Sequence, residues 1–152
     1  MKNIFLKKYF TKEHLRKITE KIEEIESVSS VELRILIKTK RKRKEQNISI
    51  NDLAVKDFFE LGIHKTKHKT GILIYILLKE KKFEIIADEG IYNVIPQPKW
   101  NELANKLSFK FAEGNYFEGL MYLLEEIKLI AANNFPKGED DINELPDEVI
   151  VE

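Results

Sequence analysis

The residues best suited to chemistry lie around two neighbouring predicted strands, at the positions where polar loops meet apolar runs. His64, Lys65 and Thr66 lead towards an apolar run, and Asp88 and Glu89 directly follow the next one. Carboxylates on loops that a rigid sheet holds in place suit oxygen-liganded cations such as Ca²⁺ or Mg²⁺. We therefore take Asp88 and Glu89 as candidate metal ligands, with the His64 loop beside them; the alternative is that the two residues only cap a turn.

Two adjacent strand signals position these loops. Residues 71–78 read GILIYILL, an apolar run that is typical of a strand covered on both faces and is too short to cross a bilayer. The charged turn at 79–82 precedes a second strand signal at 83–87, so we predict an antiparallel hairpin. Antiparallel pairing brings loop 64–70 and loop 88–90 to one rim of the sheet.

Two further charged residues are candidates for the same rim. Glu32 and Arg34 lie two residues apart in a predicted strand and therefore share one face. On a covered strand the charges of such a pair most often neutralise each other, so we interpret the pair first as structural and second as part of a site. For His64 we expect a structural role in its loop, and for His68 solvation, because neighbouring lysines would repel a bound cation.

Apolar periodicity predicts the elements before the hairpin. Thr11 is placed to begin an amphipathic helix, and the alternation over 31–37 is typical of a strand. Ser49 and Gly62 bound a second helix with a wide apolar face. Strand, helix and strand then form a βαβ unit, so the strands that begin near 31 and 71 should pair in parallel.

Two later helices are predicted, over about 98–113 and 116–132. Helices then cover both faces of a small mixed sheet, which contains the parallel βαβ unit and the antiparallel hairpin. This pattern predicts an α/β fold, a three-layer α/β/α sandwich. A length of 152 residues fits a single domain. We assign it to residues 1–136, followed by a loosely held acidic tail at 137–152.

Composition excludes several classes of protein. The chain has no cysteine, which rules out disulfides, thiolate zinc sites and cysteine nucleophiles. Its 26 Lys and Arg residues balance 26 Asp and Glu residues, so no net charge attracts nucleic acid. The basic run KTKRKRK at 38–44 lacks aromatics for base stacking; binding of nucleic acid or an anionic surface through it is a secondary alternative, and pairing with the acidic tail is another hypothesis.

The location of the protein is also a prediction at this point. Residues 1–8 lack the continuous apolar run of a signal peptide, because lysines interrupt it. No apolar run is long enough to span a membrane. We therefore expect a cytoplasmic protein without a transmembrane segment.

Several short motifs together resemble one protein family. In chain order they are SVELR at 30–34, HKT at 64–66, GILIYI at 71–76, KFEIIADEGI at 82–91, FAEGNY at 111–116 and NELPD at 143–147. This ordered set is similar to the TPM domain family, and in particular to its small soluble bacterial members, which are relatives of thylakoid lumen proteins that act in photosystem II repair. The resemblance extends over nearly the whole chain and implies the same sandwich fold.

The resemblance also implies candidate functions. Some TPM domains bind calcium, and the family has roles in repair and receptor assembly, so we expect a binding or accessory module with a stress- or repair-type role, a protein partner and Ca²⁺ dependence. A thylakoid member is described as an acid phosphatase, which makes a metal-dependent acid phosphatase the alternative. Asp88 would then be a metal ligand or acid/base group, and Lys65 or Arg34 would steady phosphate charge. Many relatives have a glycine-rich sequence where this chain has Asp88 and Glu89.

Overall fold

A four-stranded mixed sheet organises the chain in a computed structural model that describes residues 5–139 and 141–152. The strands are β1 (Glu32–Lys38), β2 (Gly71–Leu77), β3 (Lys82–Ala87) and β4 (Ile150–Val151), in the spatial order β3-β2-β1-β4. Residues 1–4, which open the N-terminal stretch discussed above, and Asp140 of the acidic tail lie outside the described residues.

The strand pairing confirms both predicted units. β1 pairs in parallel with β2, as the βαβ unit predicts, and β2 pairs antiparallel with β3 as a hairpin. β4 adds a parallel strand on the other side of β1, with Leu36 opposite Ile150. Residues 150–151 of the acidic tail therefore join the sheet. That the tail as a whole is loosely held stays a prediction.

The helices begin and end close to the predicted residues. They are α1 (Lys12–Val28), α2 (Ile50–Glu60), α3 (Glu89–Tyr92), α4 (Gln97–Ala112) and α5 (Tyr116–Asn134). Thr11 and Ser49 cap α1 and α2, because their hydroxyl oxygens accept hydrogen bonds from the backbone N–H groups of His14 and Asp52. Gly62 follows α2 with a φ of 74°, a left-handed conformation that costs glycine little.

The sheet separates two apolar layers. On one face Leu33 and Ile74 pack among buried residues of α1, α4 and α5. On the other face Tyr75 of β2 lies in one buried cluster with Phe58 of α2. Burying each such side chain stabilises the fold by about 1.5–3 kcal/mol, and β2 is buried along its whole length. This arrangement is the predicted three-layer sandwich. Within the described ranges no helix combines the length and apolar character that crossing a membrane requires.

Two glycines let loops approach the sheet at the predicted rim. A Cβ atom on Gly71 would lie 2.5 Å from the Ile63 carbonyl oxygen, and one on Gly90 would lie 2.4 Å from the Lys69 carbonyl oxygen. The backbone N–H of Gly90 also donates to the Lys69 carbonyl at 2.9 Å. The two predicted loops therefore meet, and they do so at a distance that only glycine permits.

Substitution of Gly90 tests this close approach. Gly90→Ala should lower the free energy of unfolding by about 1–3 kcal/mol, because its methyl group would overlap the carbonyl oxygens of His68 and Lys69. Urea unfolding monitored by circular dichroism would measure it. Gly138→Ala is the matched control, since its Cβ would first meet a movable Asp141 carboxylate at 3.3 Å. Equal losses in both variants would contradict the prediction.

Candidate functional site

Asp88 is the N-cap of the short helix α3. Its Oδ1 atom accepts a hydrogen bond from the Glu89 backbone N–H at 2.8 Å. Its Oδ2 atom is buried and has no hydrogen-bond partner in the part of the chain that the structure describes. The Glu89 side chain is exposed. The pair thus places a free carboxylate oxygen beside a solvent-facing carboxylate.

These two residues supply only part of the coordination that a hard cation needs. Calcium takes about six to eight oxygen ligands. Within residues 5–139 and 141–152, no group of three or more His, Cys, Asp or Glu side chains is arranged to hold a metal ion. A cation at Asp88 and Glu89 would therefore depend on water and backbone carbonyl oxygens for its other ligands.

Glu32 lies on the same rim but does not join Asp88. Glu32 is opposite Gly71, and Gly71 accepts a hydrogen bond from the Asp88 backbone at 2.9 Å, so the three residues are in register across β1, β2 and the end of β3. Two strand spacings put the Glu32 and Asp88 backbones roughly 10 Å apart. The turn at Ile63–Lys65 packs over Gly71, the residue that separates the two backbones.

The side chains of the His64 loop hold the loop itself together. Thr66 is buried, and its Oγ1 atom accepts a hydrogen bond from the Thr70 backbone N–H at 3.1 Å. Lys69 Nζ donates to the His64 carbonyl oxygen at 3.0 Å, whereas His64 Nδ1 is buried with no partner among the described residues. Lys65 is exposed. His64 thus contributes to the loop's hydrogen bonding through its carbonyl group.

The acidic tail lies directly on this rim. The backbone N–H groups of Glu144 and Leu145 both donate to Glu32 Oε1, the second at 3.0 Å. The Glu144 carboxylate in turn accepts a hydrogen bond from the Lys67 backbone N–H at 3.2 Å. One carboxylate of the sheet and one of the tail therefore hold the two segments against each other.

Two side-chain contacts link the tail to other predicted residues. His68 Nε2 lies 3.3 Å from Asp141 Oδ1, so this half-exposed imidazole faces a carboxylate as well as solvent. Lys38, the first residue of the basic run, has its Nζ atom 3.1 Å from Asp57 Oδ2 and 3.7 Å from Glu152 Oε1. The contact between Lys38 and Glu152 joins the basic run to the acidic tail, which is the pairing hypothesised from their opposite charges.

An acidic junction between Glu26, Glu32 and Asp147, with the first two residues buried, was not predicted from the sequence. Glu26 Oε2 accepts a hydrogen bond from the Leu33 backbone N–H at 2.9 Å, while its Oε1 is buried without a donor in the described chain. Burial, aided by the carboxylates of Asp147 and Glu32, raises the pKa of Glu26 to about 10. Burial also raises the pKa of Glu32 despite the N–H groups it accepts from the tail. Glu26 is therefore protonated at neutral pH.

Arg34 lies close to this junction. The residue is buried, and its Nε atom has no hydrogen-bond partner within the described ranges. Burial lowers the pKa of its guanidinium group, and the carboxylates of Glu26, Asp147 and Glu148 oppose that shift. At neutral pH the charged partners of Arg34 are thus the tail carboxylates of Asp147 and Glu148, whereas the prediction named Glu32.

A signal for this junction was present in the sequence. Ile18, Ile22 and Ile25 form the buried stripe of α1, and Glu26 lies four residues after Ile22 on that stripe. A carboxylate at an apolar position of an amphipathic helix indicates a buried acid. Asp147 offered no such signal, because its position depends on the path of an irregular tail.

These features define a small α/β/α domain whose loops and tail meet at one rim, and its family follows from comparison with known proteins. A family model described as the TPM domain matches residues 6–129, so the chain belongs to the TPM domain family. That match includes Glu26, Glu32, Asp88 and Glu89 and ends before the acidic tail. The resemblance seen in the motifs is thereby confirmed.

The solved structures that are similar to this chain include the following two. The NMR structure of the BA42 protein from the psychrophilic bacterium Bizionia argentinensis matches with a TM-score of 0.84 and 30% identity, covering 95% of this chain and 96% of that one. The N-terminal domain of a protein from P. gingivalis matches with a TM-score of 0.69 and 16% identity over 84% of this chain and 79% of that one, which is a likeness of fold alone. No curated protein matches the sequence.

The acidic junction predicts a particular dependence of stability on pH. Because the pKa of Glu26 is raised on folding, its contribution is fully present below the unfolded value of 4.5 and is lost as pH rises towards about 10. Glu26→Gln keeps the shape of the protonated acid and should remove this loss. We expect the stability difference between variant and wild type to grow by about 1 kcal/mol or more between about pH 5 and pH 8, measured by urea unfolding.

Glu23→Gln is the matched control, because Glu23 is an exposed glutamate on the same helix. Its stability difference from wild type should stay constant over the same pH range. If the stability difference between Glu26→Gln and wild type were also constant over this pH range, the pKa of Glu26 would not be raised on folding. The description of a buried acidic junction would then be wrong.

Proposed function

We propose that this TPM-domain chain is a binding or accessory module and that its recognition surface is the rim formed by Glu32 and loop 64–70. The observation that carries the proposal is that Glu32 accepts two successive backbone N–H groups from the acidic tail. Contacts of this kind recognise an extended segment by its backbone. A protein partner that presents an extended acidic segment would use the same groups after displacing the tail. A stress- or repair-type role is proposed from family membership alone.

A divalent cation, Ca²⁺ or Mg²⁺, is the second part of the proposal, and Asp88 and Glu89 are its proposed ligands. Support comes from the Asp88 Oδ2 atom, which is buried without a donor among the described residues, beside an exposed Glu89. The donor set is incomplete, so we expect a dissociation constant of about 10⁻⁴–10⁻³ M. Such an affinity suits a role in which the cation assists binding.

The phosphatase alternative has less support from the geometry. Of the two residues predicted to steady phosphate charge, Lys65 is exposed, but Arg34 is buried near Glu26 and Asp147. A buried guanidinium that carboxylates already surround is poorly placed to bind a second anion. The resemblance to a family member described as an acid phosphatase is therefore the main reason to test hydrolysis.

The basic-loop alternative is also weakened by contacts within the chain. Arg41 Nε lies 2.6 Å from Glu80 Oε2, and Arg41 Nη1 donates to the carbonyl oxygens of Glu45 and Ile48 at 2.8 and 2.6 Å. This guanidinium holds the loop in place. Its charge is therefore partly neutralised before any phosphate approaches.

A titration of the ¹⁵N-labelled chain with CaCl₂ and with MgCl₂, followed by NMR, tests the cation. We expect amide shifts confined to residues 64–70 and 88–90, with half-saturation near millimolar cation. Asp88→Asn should weaken binding at least about tenfold, because it removes a charge while asparagine still caps α3. Asp52→Asn is the control, since Asp52 also lies in the first turn of a helix and is exposed.

Spectra that do not change at cation concentrations up to about 10 mM would contradict the cation site. The rim would then remain a surface for protein contacts. Hydrolysis of p-nitrophenyl phosphate is measured on the same samples. Turnover that requires metal and is lost in Asp88→Asn but retained in Asp52→Asn would overturn the binding-module proposal in favour of a phosphatase.

A further inference from the structure

The outer edge of β3 presents unpaired backbone groups. β3 is an end strand of the four-stranded sheet in the described chain. The Asp88 backbone N–H donates to Gly71, so by alternation Ile86, Glu84 and Lys82 direct their backbone groups towards β2. The N–H and C=O groups of Phe83 and Ile85 therefore point away from the sheet, where they are available to another strand.

A cleft of about 320 Å³ runs along this edge. Its floor is formed by residues 81–85, and one wall is a stripe of α4 residues at helical spacing: Gln97, Trp100, Asn101, Ala104 and Ser108. Ile50, the first residue of α2, borders the cleft on the opposite face of the sheet. A groove with a strand edge as its floor and a helix as its wall is the geometry in which an extended peptide adds to a sheet.

Trp100, which lines the cleft, has an indole N–H group without a hydrogen-bond acceptor among the described residues. The residue is 5% exposed. A buried indole N–H usually finds an acceptor. Beside it Ala104 and Ser108 are small, which leaves room for a side chain next to the indole.

We propose that the β3 edge binds an extended peptide segment of a partner protein as a fifth strand, with alternating acidic, apolar and basic residues. In antiparallel pairing an acidic residue lies opposite Lys82 and a basic residue opposite Glu84, on the α2 face of the sheet. The apolar residue between them lies opposite Phe83, on the face where Phe83 packs against Phe111 and Trp100 lines the cleft. Lys81 at the end of the cleft adds to the preference for an acid there.

A second folded copy of this chain fits the edge less well. Antiparallel pairing of two β3 strands would place both copies of α4 on the same face of the joint. Paired strands lie about 4.8 Å apart, whereas a helix with its side chains is about 10 Å wide. Because α4 already borders the open edge, α4 of the second copy would have to occupy the same space as α4 of the first. A single extended peptide has no helix and avoids this overlap.

This surface lies towards the hairpin turn, at the end of β3 away from Asp88 and Glu89, so the proposal is independent of the function proposed for the rim. The probe is the peptide acetyl-STVKVEG-amide, designed to lie antiparallel with its lysine opposite Glu84 and its glutamate opposite Lys82. The control peptide acetyl-STVEVKG-amide has the same composition with the charges exchanged. Binding is measured by NMR and by fluorescence of Trp100, the single tryptophan of the chain.

The first peptide should shift amides over residues 82–86 and 97–108, together with the Trp100 indole signal. We expect it to bind about tenfold more tightly than the control peptide, because exchanging the charges replaces two attractive pairs by two repulsive ones. Ala104→Arg should abolish binding by filling the cleft, while keeping a residue that favours helix. The double variant Lys82→Glu with Glu84→Lys should reverse the preference between the two peptides.

Three results would overturn the proposal. They are binding of neither peptide at millimolar concentration, equal binding of both peptides, and an unchanged preference in the double variant. Sedimentation of the free chain could give a fourth such result. If the free chain formed a dimer that Ala104→Arg dissociates, the edge would bind a second copy of the chain instead of a partner's peptide.

Discussion

The close approach of the Ile63–Lys65 turn to Gly71 determines what the rim can do. Gly71 begins β2 between Glu32 and the Asp88 end of β3, and its missing side chain makes room for the Ile63 carbonyl oxygen. The turn then packs over the residue that separates the Glu32 and Asp88 backbones. The rim thus has a side that holds the acidic tail through Glu32 and a side where Asp88 is half-buried and Glu89 faces solvent.

Most of the fold was predictable because it depends on local patterns. The alternation over β1 and the continuous apolar run of β2 each indicate a strand, although β1 proves to be buried on both faces. Ser49 and Gly62 bound α2 through local capping of its backbone. β4 was not predictable, since two residues carry no period. Its place in the sheet comes from packing against β1, which is settled only once the rest of the chain is folded.

The candidate site was predictable in position but not in composition. Antiparallel pairing was enough to bring the loops around Asp88 and Lys69 together. It did not show that Asp88 Oδ1 is used as a helix cap, because the start of a four-residue helix has little sequence signal. It also missed Asp147, which reaches the Glu26 junction only through the path of the tail. Local rules therefore locate the rim, and long-range packing decides which side chains are free.

The contacts between the tail and the sheet also bear on how the chain folds. Glu32 and the tail residue Glu144 are 112 residues apart, and Ser30 and Phe135 are 105 apart, whereas β2 and β3 join through a short turn. Closing a long loop has a large entropic cost that only finished neighbouring structure repays. We expect the hairpin to form early and the tail to dock last; hydrogen exchange during refolding would contradict this order if Leu145 were protected before Ile74.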